Sequence, residues 1–137
     1  MVNKKIVTIF LLLFLITSTI SCVYADDDDR SYSITQALVD IIVDTNGMLH
    51  INETFDYSFD GTFNGVYRDI PLKEGESISN IHVSAEGAYT KVEQHQEDGT
   101  QHIKIYLYSD AAKTQPISDT NVKVHISYDM KNVMTVY

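Results

Sequence analysis

Tryptophan is missing from this 137-residue chain, cysteine occurs once, proline twice, and arginine only as Arg30 and Arg68. The one cysteine, Cys22, lies in an apolar leader. The rest of the chain therefore has no disulfide, and its core must hold it unaided. Basic residues are scarce: 10 Lys and Arg face 19 Asp and Glu, for a net charge of −9. Such a chain is repelled by nucleic acid and by anionic lipid headgroups, which excludes both as partners recognised by charge. No helical period appears beyond the leader, which excludes a helical bundle. A serine nucleophile elbow, a Cys–His pair, an HExxH zinc motif and a phosphate-cradling glycine loop are all absent from the sequence. The common routes to hydrolysis and nucleotide binding are missing with them. The expectation is a chain without catalytic residues, without a cofactor and without a metal.

What is present begins with the leader. Lys4 and Lys5 precede an apolar run from Ile6 to Ile20, and Val23-Tyr24-Ala25 follows as a small-residue cleavage signal. Residues 1–25 read as a signal peptide or membrane anchor, a hydrophobic N-terminal export helix. The run falls short of the roughly 20 apolar residues of a full span, which favours cleavage. Thr19 to Cys22 weakly resembles a lipoprotein cleavage site, with threonine where leucine is usual. Cleavage after Ala25 leaves eight basic and 19 acidic side chains, a net charge of −11. Residues 26–33, led by Asp26 to Asp29, read as an acidic flexible N-terminus. They lack the alternating ligands and glycine of a calcium loop.

Residues 34–137 read as β throughout. Ile34 to Val43 is β-branched, and Asp44-Thr45-Asn46-Gly47 turns the chain into Met48 to Phe59 as a hairpin. That second run puts Leu49, Ile51, Phe55, Tyr57 and Phe59 on one face by simple alternation. Ile78 to Ala85 alternates too. Tyr89 to Gln96 and Gln101 to Tyr108 flank a second turn at Glu97-Asp98-Gly99-Thr100, and Asn121 to Met130 alternates again. Short strands with a turn about every ten residues predict an all-β, antiparallel, immunoglobulin-like β-sandwich.

One residue breaks the apolar row. Glu53 sits between Ile51 and Phe55 on the face that should be buried. An unpartnered buried carboxylate costs several kcal/mol, so it calls for a cation. Arg68, in "FNGVYRDIPL", carries a planar fork suited to a bidentate bond. The expectation is a structural ion pair of Glu53 and Arg68. Asp69 either shares the arginine or caps the turn toward Pro71. Gly61 and Gly65 let the intervening loop bend. Phe63, Val66, Tyr67 and Ile70 seal it on the core, and Pro71 holds Ile70 extended. The alternative chemistry makes Glu53 and Asp69 the acid/base pair of a carbohydrate-active hydrolase.

These same residues carry a family resemblance. "GMLHINETFDYSFDGTFNGVYRDIPL" resembles the predicted membrane proteins called domain of unknown function 2207. Gly47, Leu49, Ile51, Glu53, Tyr57 and Phe59 match that family's first run, and Gly65, Arg68, Ile70 and Pro71 match its second. The tail "VHISYDMKNVMTVY" resembles the family's next strand pair. The resemblance implies an extracytoplasmic β-sandwich domain of a membrane protein, and it implies no catalytic residues. Family members usually continue into further extracellular sequence and transmembrane helices. The apolar end, Val133 to Tyr137, is therefore expected to belong to a fragment or to pair with a partner or a downstream domain.

Three further candidates complete the reading. His50, His82, His102 and His125 fall on polar strand faces, where neighbouring strands can juxtapose two of them; His95 completes the set. Asn52-Glu53-Thr54 is a glycosylation sequon with Asn52 facing outward. Tyr106 and Tyr108 point away from the Ile103–Ile105–Leu107 face and are a candidate stacking surface for sugars or a protein partner. The sequence thus predicts an exported, extracytoplasmic binding or assembly module of the cell envelope, with no nucleic-acid partner and with membrane attachment through residues 1–25 if they are retained.

Overall fold

The computed structural model describes residues 29–134. The leader, its cleavage sites and anchor helix, Asp26 to Asp28 and Thr135 to Tyr137 lie outside the described residues. Within them the chain is all β. Nine strands follow in order: β1 (Ser31–Val43), β2 (Leu49–Asp60), β3 (Thr62–Phe63), β4 (Gly65–Pro71), β5 (Ser77–Glu86), β6 (Tyr89–Glu97), β7 (Thr100–Tyr108), β8 (Ile117–Ser118) and β9 (Asn121–Lys131). Among the described residues no helix is long and apolar enough to cross a membrane.

The strands form antiparallel sheets. One has the order β1-β2-β9-β5, a second β4-β7-β6, and β3 pairs with β8 as a short third. A single core joins the two larger sheets. β2 supplies Leu49, Ile51, Tyr57 and Phe59, β9 supplies Val122, Val124, Ile126, Tyr128 and Met130, and β7 supplies Ile103, Ile105 and Leu107. These are the alternate positions of each strand, because successive side chains point to opposite faces.

Both expected turns form, for local reasons. Asp44 Oδ1 accepts the backbone N–H of Asn46 at 2.8 Å and of Met48 at 3.0 Å, which closes the β1–β2 turn. Asp98 and Gly99 both adopt positive φ, 48° and 72°, the twist that a two-residue hairpin between β6 and β7 requires.

Two boundaries differ from the sequence reading. Residues 31–33 are not a flexible tail: β1 begins at Ser31, because Tyr32 lies opposite Phe59 in register and its ring sits 6.0 Å from that of Phe63. The segment Gly65–Pro71 is not a loop: it is β4, paired along its length with β7 from Gly65↔Tyr106 to Pro71↔Thr100. Its alternation is hidden in the sequence because one of its inward positions is Arg68. Pro71 closes the strand at an edge of the sheet, where proline is tolerated.

Candidate functional site

The centre of interest lies where β4 crosses β2. By alternation Val66, Arg68 and Ile70 face inward from β4, and Ile51, Glu53 and Phe55 face inward from β2. Glu53 is 4% exposed. Arg68 donates from Nη2 to Glu53 Oε1 at 2.6 Å and from Nε to Oε2 at 2.8 Å, a two-pronged bond between the sheets. A third donor completes the carboxylate: Tyr128 Oη, from β9, donates to Oε1 at 2.9 Å. The remaining arginine donor, Nη1, is taken by the backbone carbonyl of Asp69 at 2.6 Å.

Charge and burial tune this group. The Glu53 hydrogen bond holds the Arg68 guanidinium above its ordinary range, partly offset by burial. Burial, then the Glu53 charge, push the Tyr128 hydroxyl up to about 12, so it stays a donor at any physiological pH. Tyr128 escaped the sequence reading as a partner. It was visible only as one more residue on an apolar face, although a tyrosine there needs a partner for its hydroxyl. Removing that donor leaves a buried carboxylate oxygen short of one bond. Tyr128→Phe should therefore cost about 1.5–3 kcal/mol in chemical denaturation; a curve superimposable on the parent's would show the bond to be idle.

Asp69 is not part of this group. Its side chain points to the opposite face of β4, where Oδ1 lies 2.8 Å from His102 Nδ1. It neither shares the arginine through its carboxylate nor caps the turn. Adjacent strand residues face opposite ways, so Asp69 cannot face inward while Arg68 does. The two acids of the hydrolase alternative are thus turned away from each other. Tyr67 also departs from its expected place: it is 67% exposed and does not seal the core. Phe63 and Val66 are partly buried against the core, and Ile70 is inside it.

The histidines are distributed among acids. His50 Nδ1 lies 2.6 Å from Asp129 Oδ1, and Nε2 lies 3.6 Å from Asp44 Oδ2. His125 lies between Thr54 and Glu86, at 3.1 and 2.9 Å. His95 and His102 stack across β6 and β7 with ring centroids 4.9 Å apart. Among the described residues no three His, Cys, Asp or Glu side chains converge as a metal site.

His50 offers a test. Its hydrogen bond to Asp129 raises its pKa above the ordinary histidine value, and Asp129 is lowered, first by Asn80 and then by His50. The sign follows: the stability from raised His50 is full below roughly pH 6.5 and is lost as pH rises through its folded value. The contribution from lowered Asp129 has the opposite sense and is lost in acid. NMR titration should place His50 above a model histidine, and Asp129→Asn should bring it down. A midpoint at or below the model value would contradict the pairing.

Asn52 is exposed on the outer face of β2. Tyr106 and Tyr108 stack at 6.5 Å on the outer face of β7. The Tyr106 ring is already covered by its own cations, with Lys104 Nζ 4.5 Å and Lys91 Nζ 5.3 Å from the centroid. A sugar stacking there has to displace them.

The chain is thus an antiparallel all-β protein whose two main sheets are tied by an enclosed arginine–glutamate–tyrosine group. It belongs to the family described as Predicted membrane protein (DUF2207) N-terminal domain, whose model matches residues 33–137. No curated protein and no solved structure matches it. The matched stretch contains every residue of the Glu53–Arg68–Tyr128 group.

Proposed function

We propose that this chain is an exported module of the cell envelope, an immunoglobulin-like β-sandwich carried by a membrane protein, which binds or assembles and does not catalyse. The observation that carries the reading is the state of Glu53. Both its oxygens are engaged by Arg68 and Tyr128, and the residue is 4% exposed, which puts it out of reach of a substrate. Asp69, its partner in the hydrolase alternative, is committed to His102 on the other face. Membership of a predicted membrane protein family and the apolar leader support an extracytoplasmic location. Attachment runs through residues 1–25 if they are retained.

Two measurements test this. The whole chain fused to a reporter enzyme that is active only outside the cytoplasm should give an active reporter; a silent reporter with intact fusion protein refutes export. The protein incubated with a panel of chromogenic glycosides should give no turnover. Turnover that vanishes in both Glu53→Gln and Asp69→Asn would instead make it the hydrolase.

A further inference from the structure

β1 is thirteen residues long, and every one of them is exposed. By register, Tyr32, Ile34, Ala37, Val39, Ile41 and Val43 lie opposite the inward-facing residues of β2 and share their face. Among the described residues they form an apolar row with nothing over it: Val39 is 53% and Ile41 56% exposed. The cause is a mismatch between sheets. One has four strands and the other three. The Arg68–Glu53 bond sets β4 over β2, and β6 follows β5 after only Gly87 and Ala88, which closes the far side. The strand without an opposite number is β1.

The same corner holds a second unmet need. Among the described residues β4 has no partner strand besides β7, and on its other edge the Asp69 carbonyl is already taken by Arg68 Nη1. Between that edge and the start of β1 lies a groove of about 310 Å³, lined by Tyr32, Ile34, Phe63, Val66 and Tyr67 among others. One strand placed there would pair with β4 and cover the row on β1. Neither edge carries a lysine, and the devices present are local: a register shift between Ile34 and Gln36 in β1, and Pro71 at the end of β4. β1 has one charged residue, Asp40, and it lies on the opposite face from the row.

We propose that the occupant is β1 of a second copy of this chain, in a two-fold dimer. Each copy has one vacant strand position and one uncovered strand, so the vacancy and its filler are the same element. A two-fold axis running along the strands between the two copies of β1 satisfies both. Each β1 then continues the other copy's three-stranded sheet, and the two apolar rows face each other. Such an isologous contact closes on itself and leaves no strand edge at that corner. The direction is determined as well. Phe63 contacts Phe59 and Arg68 contacts Glu53, so β4 runs antiparallel to β2, as β1 does. The incoming β1 is therefore parallel to β4.

Charge does not forbid a second copy at this strip. The chain carries −9, and two such chains repel except where acids are missing. The row on β1 is such a place. A basic partner would be drawn to the acidic surfaces elsewhere, and this strip offers it nothing to pair with.

The proposal gives the assembly reading above its partner and rests on it only for where the dimer forms. Sedimentation of the whole chain in mild detergent should show a dimer at micromolar concentration. Ile41→Lys should convert it to a monomer with an unchanged far-ultraviolet spectrum. In a Cys22→Ser background, Ile41→Cys should cross-link between copies with a short bismaleimide, whereas Ile42→Cys, on the other face, should not. The cysteine variants keep the test decisive if the lysine variant fails to fold. A monomer, a dimer indifferent to Ile41→Lys, or equal cross-linking from both cysteines overturns the proposal. A silent export reporter with an intact dimer would instead remove only the envelope reading.

Discussion

Glu53→Gln should lower the stability of this protein by about 3–5 kcal/mol, because removing one partner of an enclosed ion pair strands the other. The substitution preserves volume and shape, so packing is not the cause. Three donors converge on the carboxylate, from Arg68 Nε, Arg68 Nη2 and Tyr128 Oη. A glutamine amide offers one acceptor oxygen and puts an NH₂ group against at least one of those donors. Arg68 keeps its charge and loses its counter-ion. Its side chain is about one-third exposed, which places the cost toward the lower end of that range. The thermal midpoint should fall by at least about 10 °C. Replacing both partners, as Glu53→Leu with Arg68→Met, should recover most but not all of the loss. An apolar pair removes the stranded charge, while Tyr128 still lacks its acceptor. Thermal denaturation followed by circular dichroism decides it, and an unchanged midpoint for Glu53→Gln would show that the group does not hold the sheets together.

The other large effect is expected at Gly65, the first residue of β4. A Cβ built there would stand 2.0 Å from the carbonyl oxygen of Ile105 and 2.9 Å from both the carbonyl carbon of Ile105 and the Cα of Tyr106. These are backbone atoms of β7, and Ile105 is fully enclosed in the core. No rotamer change relieves the overlap, so one strand has to shift relative to the other. Gly65→Ala should cost at least about 3 kcal/mol, the upper range for overpacking, and should weaken the register that delivers Arg68 to Glu53. Gly75→Ala is the control. Nothing lies within 4 Å of its added Cβ, although its φ is +86°. It bears only the strain of a left-handed residue, about 1–2 kcal/mol. Urea midpoints separate the two, and equal losses would mean that the close approach of β4 to β7 is not what demands glycine at Gly65.

The two effects have a common origin in β4, the element that sequence reasoning handled least well. "GVYRDIP" carries two adjacent charges and a proline, which read as a loop. In the structure its alternation is regular, with Val66, Arg68 and Ile70 inward, but the middle position is a cation whose apolar surroundings are provided by other strands. Period-two patterning assumes that inward means apolar, and a buried ion pair defeats the assumption at both of its members. Glu53 was still readable, because its row on β2 is long enough for one exception to stand out. β4 is too short for that.

By itself the sequence determined the local elements: which runs alternate, where Asp44 and Asp98-Gly99 turn the chain, and that an acid on an apolar row needed the one arginine able to reach it. These depend on neighbours close along the chain and on a shortage of alternatives. Tertiary structure alone decided that Tyr128 would join the pair, that Asp69 would turn to His102, and that no other described strand would cover β1. Each of those depends on which strands become neighbours and on how many each sheet contains, four against three here. No residue in β1 records that count, because a strand's own pattern specifies which face is apolar and not whether another layer arrives to cover it.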